Sequence, residues 1–136
     1  MTSIKLFHTI PKLIYTKLDE LSYKKNSESQ SNLQCIVMYK RENKITMSRG
    51  VIIGVIAFHV HPKYITVKTY YGQKNTIGLL LYNLEVYAKK LRLQCVRLFT
   101  NNKEDIYEIA KSRNYFEIPY DNGEILCFKY IPTSAL

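Results

Sequence analysis

Long apolar runs are missing from this chain. In its 136 residues no uninterrupted stretch reaches the roughly 20 apolar positions that a bilayer-spanning helix needs. Met1 to Ile10 carries one lysine, no long apolar stretch and no small-residue cleavage site, so it does not read as a secretory leader. An intracellular location, cytoplasmic or nuclear, is expected. Cysteine is scarce as well. Cys35, Cys95 and Cys127 are odd in number, widely spaced and each set in an apolar, strand-like segment. That pattern predicts buried free thiols in a reducing compartment rather than a disulfide framework. No Cys/His spacing suits zinc, and no metal site is expected. There is no internal repeat, no low-complexity segment and no block of like charge; Lys24-Lys25 and Lys89-Lys90 are the only adjacent pairs of one basic residue.

Acidic residues are few, 11 against 20 lysines and arginines, which leaves a net charge of +9. Such a surplus raises encounter rates with nucleotides, nucleic acid or an acidic protein surface. Because the charges are dispersed, a solvated basic surface is favoured over a dedicated nucleic-acid stripe. What the chain does have is an apolar fraction of 46%, enough for a real core, in a length that suits a single domain over 1–136.

Periodicity sets the order of elements. Ser3 to His8 reads as a first strand. Thr9 can cap a helix with Pro11 in its first turn, and Ile10, Ile14, Leu18 and Leu21 follow at helical spacing. Lys24 to Asn32 is polar and reads as an exposed loop, a partner-binding candidate only if the chain is a binding module. Leu33 to Tyr39 is a strand, Arg41 to Lys44 a turn, Ile45 to Met47 the start of a return, and Ser48 to Gly50 a turn or bulge. Val51 to Val60 is nearly all apolar, as in a strand covered on both faces. After the turn His61-Pro62-Lys63, Tyr64 to Tyr71 is a β-branched and aromatic strand. Ile77, Leu80, Leu81, Leu84, Tyr87, Ala88 and Leu91 form a helical stripe, with Asn83, Glu85, Lys89 and Lys90 between them. Cys95 to Thr100 is a strand, and Asn101-Asn102 can cap a helix with Glu104 and Asp105 in its first turn. Ile106, Ile109, Ala110 and Arg113 share one side of that helix. Tyr115 to Ile118 and Ile125 to Tyr130 close the chain around the turn Asp121-Asn122-Gly123. The predicted fold class is α/β, a mixed α+β sheet with helices on its faces.

Over nearly its whole length, this order resembles the GNAT superfamily of acyl-CoA N-acyltransferases. Gly50-Val51-Ile52-Ile53-Gly54-Val55-Ile56-Ala57-Phe58 is similar to that family's third strand. Tyr71-Gly72-Gln73-Lys74-Asn75-Thr76-Ile77-Gly78 falls where the family has its Q/R-x-x-G-x-G/A loop. Leu80-Leu81 and Glu85 to Leu91 resemble its long helix. Leu98 to Asn102 and Arg113 to Glu117 resemble its fifth strand and the segment after its last helix. The resemblance implies a mostly antiparallel sheet of six to seven strands with helices on both faces.

It also implies a site. In the family the loop holds the pyrophosphate of acetyl-CoA at a helix N-terminus, where N–H groups lack partners and the dipole is positive. Cofactor contacts would therefore come from Gly72, Gln73, Lys74, Asn75, Thr76, Ile77 and Gly78. Val67, Lys68 and Thr69 would lie along the pantetheine arm, with Asn101 or Asn102 near the cofactor. Two registers are open. If Gln73 starts the motif, Thr76 replaces its first glycine; if the helical stripe sets it, the glycine positions fall on Asn75 and Ile77, and Ile77 at positive φ would be strained. Family members often carry a carboxylate on the fourth strand as proton acceptor, and Tyr64 to Tyr71 has none. His59 and His61 are candidate substitutes, against their reading as strand-end or turn histidines. The family's thiolate-protonating tyrosine would fall on Ala110, which leaves Tyr107, one turn earlier, as the nearest candidate, against its reading as an ordinary tyrosine. The resemblance thus implies acetyl transfer from acetyl-CoA to an amine. The alternatives are an inactive GNAT-like binding or assembly module with a protein partner and a basic nucleic-acid-binding domain.

Overall fold

The structure is a computed structural model that describes residues 2–9, 33–40 and 51–132. The strands are β1 (Thr2–Phe7), β2 (Leu33–Lys40), β3 (Val51–Val60), β4 (Tyr64–Gly72), β5 (Cys95–Thr100), β6 (Phe116–Pro119) and β7 (Ile125–Tyr130). Helix α1 spans Lys74–Lys90 and helix α2 spans Asp105–Ser112. All seven strands form one sheet in the order β1-β2-β3-β4-β5-β7-β6. Every pairing is antiparallel except β4 with β5. A parallel pair needs a crossover, and α1 supplies it. The expected first helix from Thr9 to Leu21, the polar loop Lys24 to Asn32, and the turns and return strand over 41–50 lie outside the described residues, apart from Thr9 itself in a bend.

β3 shows why its sequence does not alternate. Ile56 and Phe58 point into the main core beneath the helices, while Val55 and Ala57 join Leu33, Cys35 and Val37 on the opposite side. With both faces buried, the positions from Val55 to Phe58 are all apolar. Leu80, Leu81 and Leu84 of α1 are fully buried on the first face, and each contributes about 1.5–3 kcal/mol by leaving water. Ile106, Ile109 and Ala110 of α2 join the same cluster, so the two described helices share one face of the sheet.

Some expectations need correction. Leu91, assigned to the apolar stripe, is the C-cap of α1 and is exposed. Glu85, assigned to the polar side, is buried. Asn101 and Asn102 do not cap α2. That helix starts later, with Glu104 as its N-cap, and Asn101 instead accepts a bond from the Lys103 N–H at 2.9 Å in its own tight turn. The closing hairpin forms as expected, with Asn122 and Gly123 at φ 60° and 77°. Cys35 and Cys127 are buried free thiols and Cys95 is half-buried. No described helix is long and apolar enough to cross a membrane.

Candidate functional site

The site begins with a fault in the sheet. In the β3–β4 ladder Ala57 faces Thr69 and Phe58 faces Val67, so Lys68 is an extra, bulged residue without a partner. A bulge bends its strand and locally increases twist. On the other edge, β4 pairs with β5 only from Tyr64 to Val67, against Cys95 to Leu98. Past the bulge the two strands separate. The gap is a cavity of about 390 Å3 walled by Val67, Lys68, Thr69 and Tyr70 on one side and Leu98 and Phe99 on the other, with Glu104 and Ile106 at the start of α2. Backbone N–H and C=O groups that would have paired across β4 and β5 are left to face this cleft.

Directly after the cleft comes the N-terminus of α1. Gly72 has φ 136°, Gln73 is extended as the N-cap, and Lys74 is already helical. The first intrahelical bond runs from the Ile77 N–H to the Gln73 carbonyl at 2.9 Å. The N–H groups of Lys74, Asn75 and Thr76 therefore precede the ladder. No side chain caps this end and no acid lies in its first turn. Two glycines hold the turn against the sheet. Gly54 and Gly72 are partners in the β3–β4 ladder. A Cβ on Gly54 would come within 2.3 Å of the Thr76 methyl, and one on Gly72 within 3.0 Å of the Ile53 carbonyl.

This geometry changes the expected loop. Lys74, Asn75, Thr76, Ile77 and Gly78 are all residues of α1, not of a preceding loop. Among the described residues the non-glycine positive-φ positions are Arg92, Asn114 and Asn122, so neither Asn75 nor Ile77 is strained. Ile77 is buried in the core, and Gly78 faces Ile109 of α2. Lys74 forms an exposed ion pair with Glu108, which raises the Lys74 pKa and lowers that of Glu108.

The remaining candidates fall in two places. Tyr107 is outside the cleft lining, and its phenol donates to Glu117 Oε1 of β6 at 3.1 Å, a bond that raises its pKa. Ala110 is fully buried, and Asn102 is exposed on the turn before α2. The histidines lie on the face opposite the helices. His59 pairs with Thr66, and His61 stacks on Tyr64 at 4.4 Å between ring centres. Burial, then the charges of Arg97 and Lys68, lower the His61 pKa, which favours the neutral imidazole. Sequence reasoning missed two cleft residues. Tyr70 Oη donates to Glu104 Oε2 at 2.7 Å, and Asn101 Nδ2 donates to Glu104 Oε1 at 3.2 Å. Nothing in the local pattern of a strand tyrosine and a helix N-cap glutamate 34 residues away announces that they meet.

This seven-stranded sheet, with one parallel pair that splays at a bulge and an uncapped helix N-terminus after it, has the fold of solved GNAT acyl-CoA N-acyltransferases. No family profile and no curated protein sequence matches the chain. Solved structures do. An N-acetyltransferase from Staphylococcus aureus matches with TM-score 0.68 at 13% identity, over 96% of this chain and 98% of that one. The Campylobacter jejuni N-acetyltransferase PseH, in complex with acetyl coenzyme A, matches with TM-score 0.61 at 15% identity over 97% and 100%. A ribosomal-protein alanine N-acetyltransferase from Escherichia coli matches with TM-score 0.65 at 12% identity over 100% and 99%.

Proposed function

We propose that this protein is an N-acyltransferase that takes an acetyl group from acetyl-CoA and passes it to an amine. The observation that carries the reading is the splay of β4 from β5 at the Lys68 bulge, opening beside the uncapped N-terminus of α1. The residues present fit the cofactor. Gly54 and Gly72 let the start of α1 sit close on β3, which fixes its first-turn N–H groups in place, and no acid of the first turn opposes an anion there. Bound there, acetyl-CoA would supply the acyl group as a thioester.

The chain's own groups divide the work. The first-turn N–H groups of Lys74, Asn75 and Thr76 would hold the pyrophosphate, helped by the dipole. Lys74 can leave Glu108 for a phosphate at little cost, because that pair is exposed. The backbone of Val67, Lys68 and Thr69, where β4 parts from β5, would bind the pantetheine arm as an added strand would. On the opposite face, His59, across from Thr66 next to the start of the splay, and His61, stacked on Tyr64, would take up the proton of the amine. Holding both reactants at one point can account for roughly 7–11 kcal/mol of such a barrier.

A second reading, an inactive GNAT-like binding module, draws on one observation. The position expected to protonate the leaving sulfur is the buried Ala110, and the nearby Tyr107 phenol is engaged by Glu117. Two measurements separate the readings. Acetyl-CoA at a hundred times its Kd should stabilise the native state by about 2.7 kcal/mol, a rise of several degrees in the unfolding midpoint; no rise removes both the cofactor and the enzyme. A rise without thiol release from acetyl-CoA across a panel of amines leaves the binding module.

A further inference from the structure

On β5, β7 and β6 the face turned away from the helices is apolar and open. Arg97, Phe128 and Phe116 stand in one row across the three strands, and Phe99, Leu126 and Ile118 in the next. The opposite rows, such as Leu98 with Cys127, are buried in the core. Phe116 is 61% exposed and Ile118 46% exposed, and Phe116 stacks on Phe128 at 5.6 Å. A groove of about 540 Å3 runs along this face, past Tyr64, Arg97, Ile118, Leu126 and Phe128. That volume suits a small-molecule ligand.

Its charge has one sign. Lys63 and Arg97 are the charged residues of the lining, and no acid is among them. Arg97 Nε donates to Thr66 Oγ1 at 3.0 Å and Nη2 to the Tyr64 hydroxyl at 3.3 Å, both neutral acceptors. The guanidinium lies 4.2 Å over the Tyr64 ring. No carboxylate of the described residues pairs with it. A guanidinium has five N–H donors, so Arg97 keeps donors for a planar anion while ring stacking fixes its plane. Arg97 also directly precedes Leu98, where the β4–β5 pairing ends, and His61 stacks on the same Tyr64.

From these placements we infer that the groove binds a small apolar carboxylate, and that the acceptor is an amine of this class: its carboxylate on Arg97 and its aliphatic or aromatic body along Phe128, Leu126 and Ile118. The binding stands on the groove alone, whereas the acceptor role rests on the acyltransferase reading above. In the transfer, the amine nitrogen bonds to the acyl carbon and the C–S bond breaks with its electron pair on sulfur. The amine proton is carried through water to the His59 and His61 pair of this face.

The test uses the full chain and 3-phenylpropanoate as probe, followed by NMR titration or calorimetry. Saturable binding is expected, about tenfold tighter than that of 3-phenylpropanol, which lacks the charge. Arg97→Met should remove that preference, and so should Ile118→Glu, which sets a repelling charge in the groove without touching Arg97 or the cleft. Equal affinity for acid and alcohol, or no saturable binding at millimolar concentration, overturns the inference, as does a self-associating chain whose dimer occludes Phe116 and Ile118. Thiol release from acetyl-CoA should then be faster with L-phenylalanine than with phenethylamine or glycine. Binding of 3-phenylpropanoate without any thermal shift by acetyl-CoA supports the groove and sinks the acyltransferase reading; a thermal shift without carboxylate preference does the reverse.

Discussion

At the scale of single residues, Glu85 shows what periodicity cannot see. Its carboxylate accepts four hydrogen bonds: from Arg113 Nε and Nη2 at 2.9 and 2.7 Å, from the Tyr115 hydroxyl at 2.9 Å and from Lys129 Nζ at 3.2 Å. The partners come from the end of α2, the segment after it and β7, so one buried side chain ties three parts of the fold to α1. Burial raises the Glu85 pKa, but the bonds from Arg113 and Tyr115 outweigh it and hold the carboxyl below the ordinary glutamate range. A depressed native pKa contributes stability that is complete above the ordinary glutamate range and is lost as pH falls through the native value. Glu85→Gln should therefore destabilise the protein by about 3 kcal/mol at pH 7, because it leaves two cations without their counter-charge. In chemical denaturation the gap between the two proteins should narrow as the pH is lowered below the ordinary glutamate range. A gap independent of pH would mean that packing, not charge, is what Glu85 supplies. The sequence showed only a glutamate between apolar positions, which by spacing alone reads as solvated.

Among the elements, α1 was the most legible, since its stripe of Ile77, Leu80, Leu81, Leu84 and Ala88 is buried as the 3.6-residue period requires. Its starting point was not. The glycine motif suggested a loop up to Gly78, yet the helix begins at Lys74, because Gly54 lets Thr76 sit against β3. That contact gives an element-level prediction. Gly54→Ala should cost about 1–3 kcal/mol by overpacking and weaken acetyl-CoA binding, since the helix start must move off the sheet. Adding Thr76→Ser, which deletes the clashing methyl, should recover much of both losses in thermal unfolding and in cofactor titration. If Gly54→Ala proves neutral, the close approach of α1 to β3 does not position the site. The bulge at Lys68 had no signal at all in the sequence: one extra residue is defined only by comparison with the neighbouring strand, and that register is a tertiary fact.

For the molecule as a whole, the net charge of +9 makes a prediction that needs no particular contact. An anionic cofactor approaching this chain is drawn by a long-range field that salt screens within about 10 Å at 0.1 M. Acetyl-CoA affinity should fall steadily as sodium chloride is raised, while the unfolding midpoint without cofactor changes much less; an affinity insensitive to salt would show that the phosphates are not held by the chain's positive field. What the sequence determined by itself was the fold class and, over the described residues, the element order, because hydrophobic period and turn chemistry are local properties written every few residues. Glycines and a helix start leave local marks as well, and these alone direct the proposed cofactor site to the stretch around Gly72. Only the tertiary structure decided which residues face the cleft, that Tyr70 meets Glu104, that Tyr107 is turned to Glu117, and that no carboxylate of the described residues pairs with Arg97 in its apolar groove. Each of these depends on strand register and on which side chains arrive from elsewhere, and neither is encoded in the spacing of neighbours along the chain.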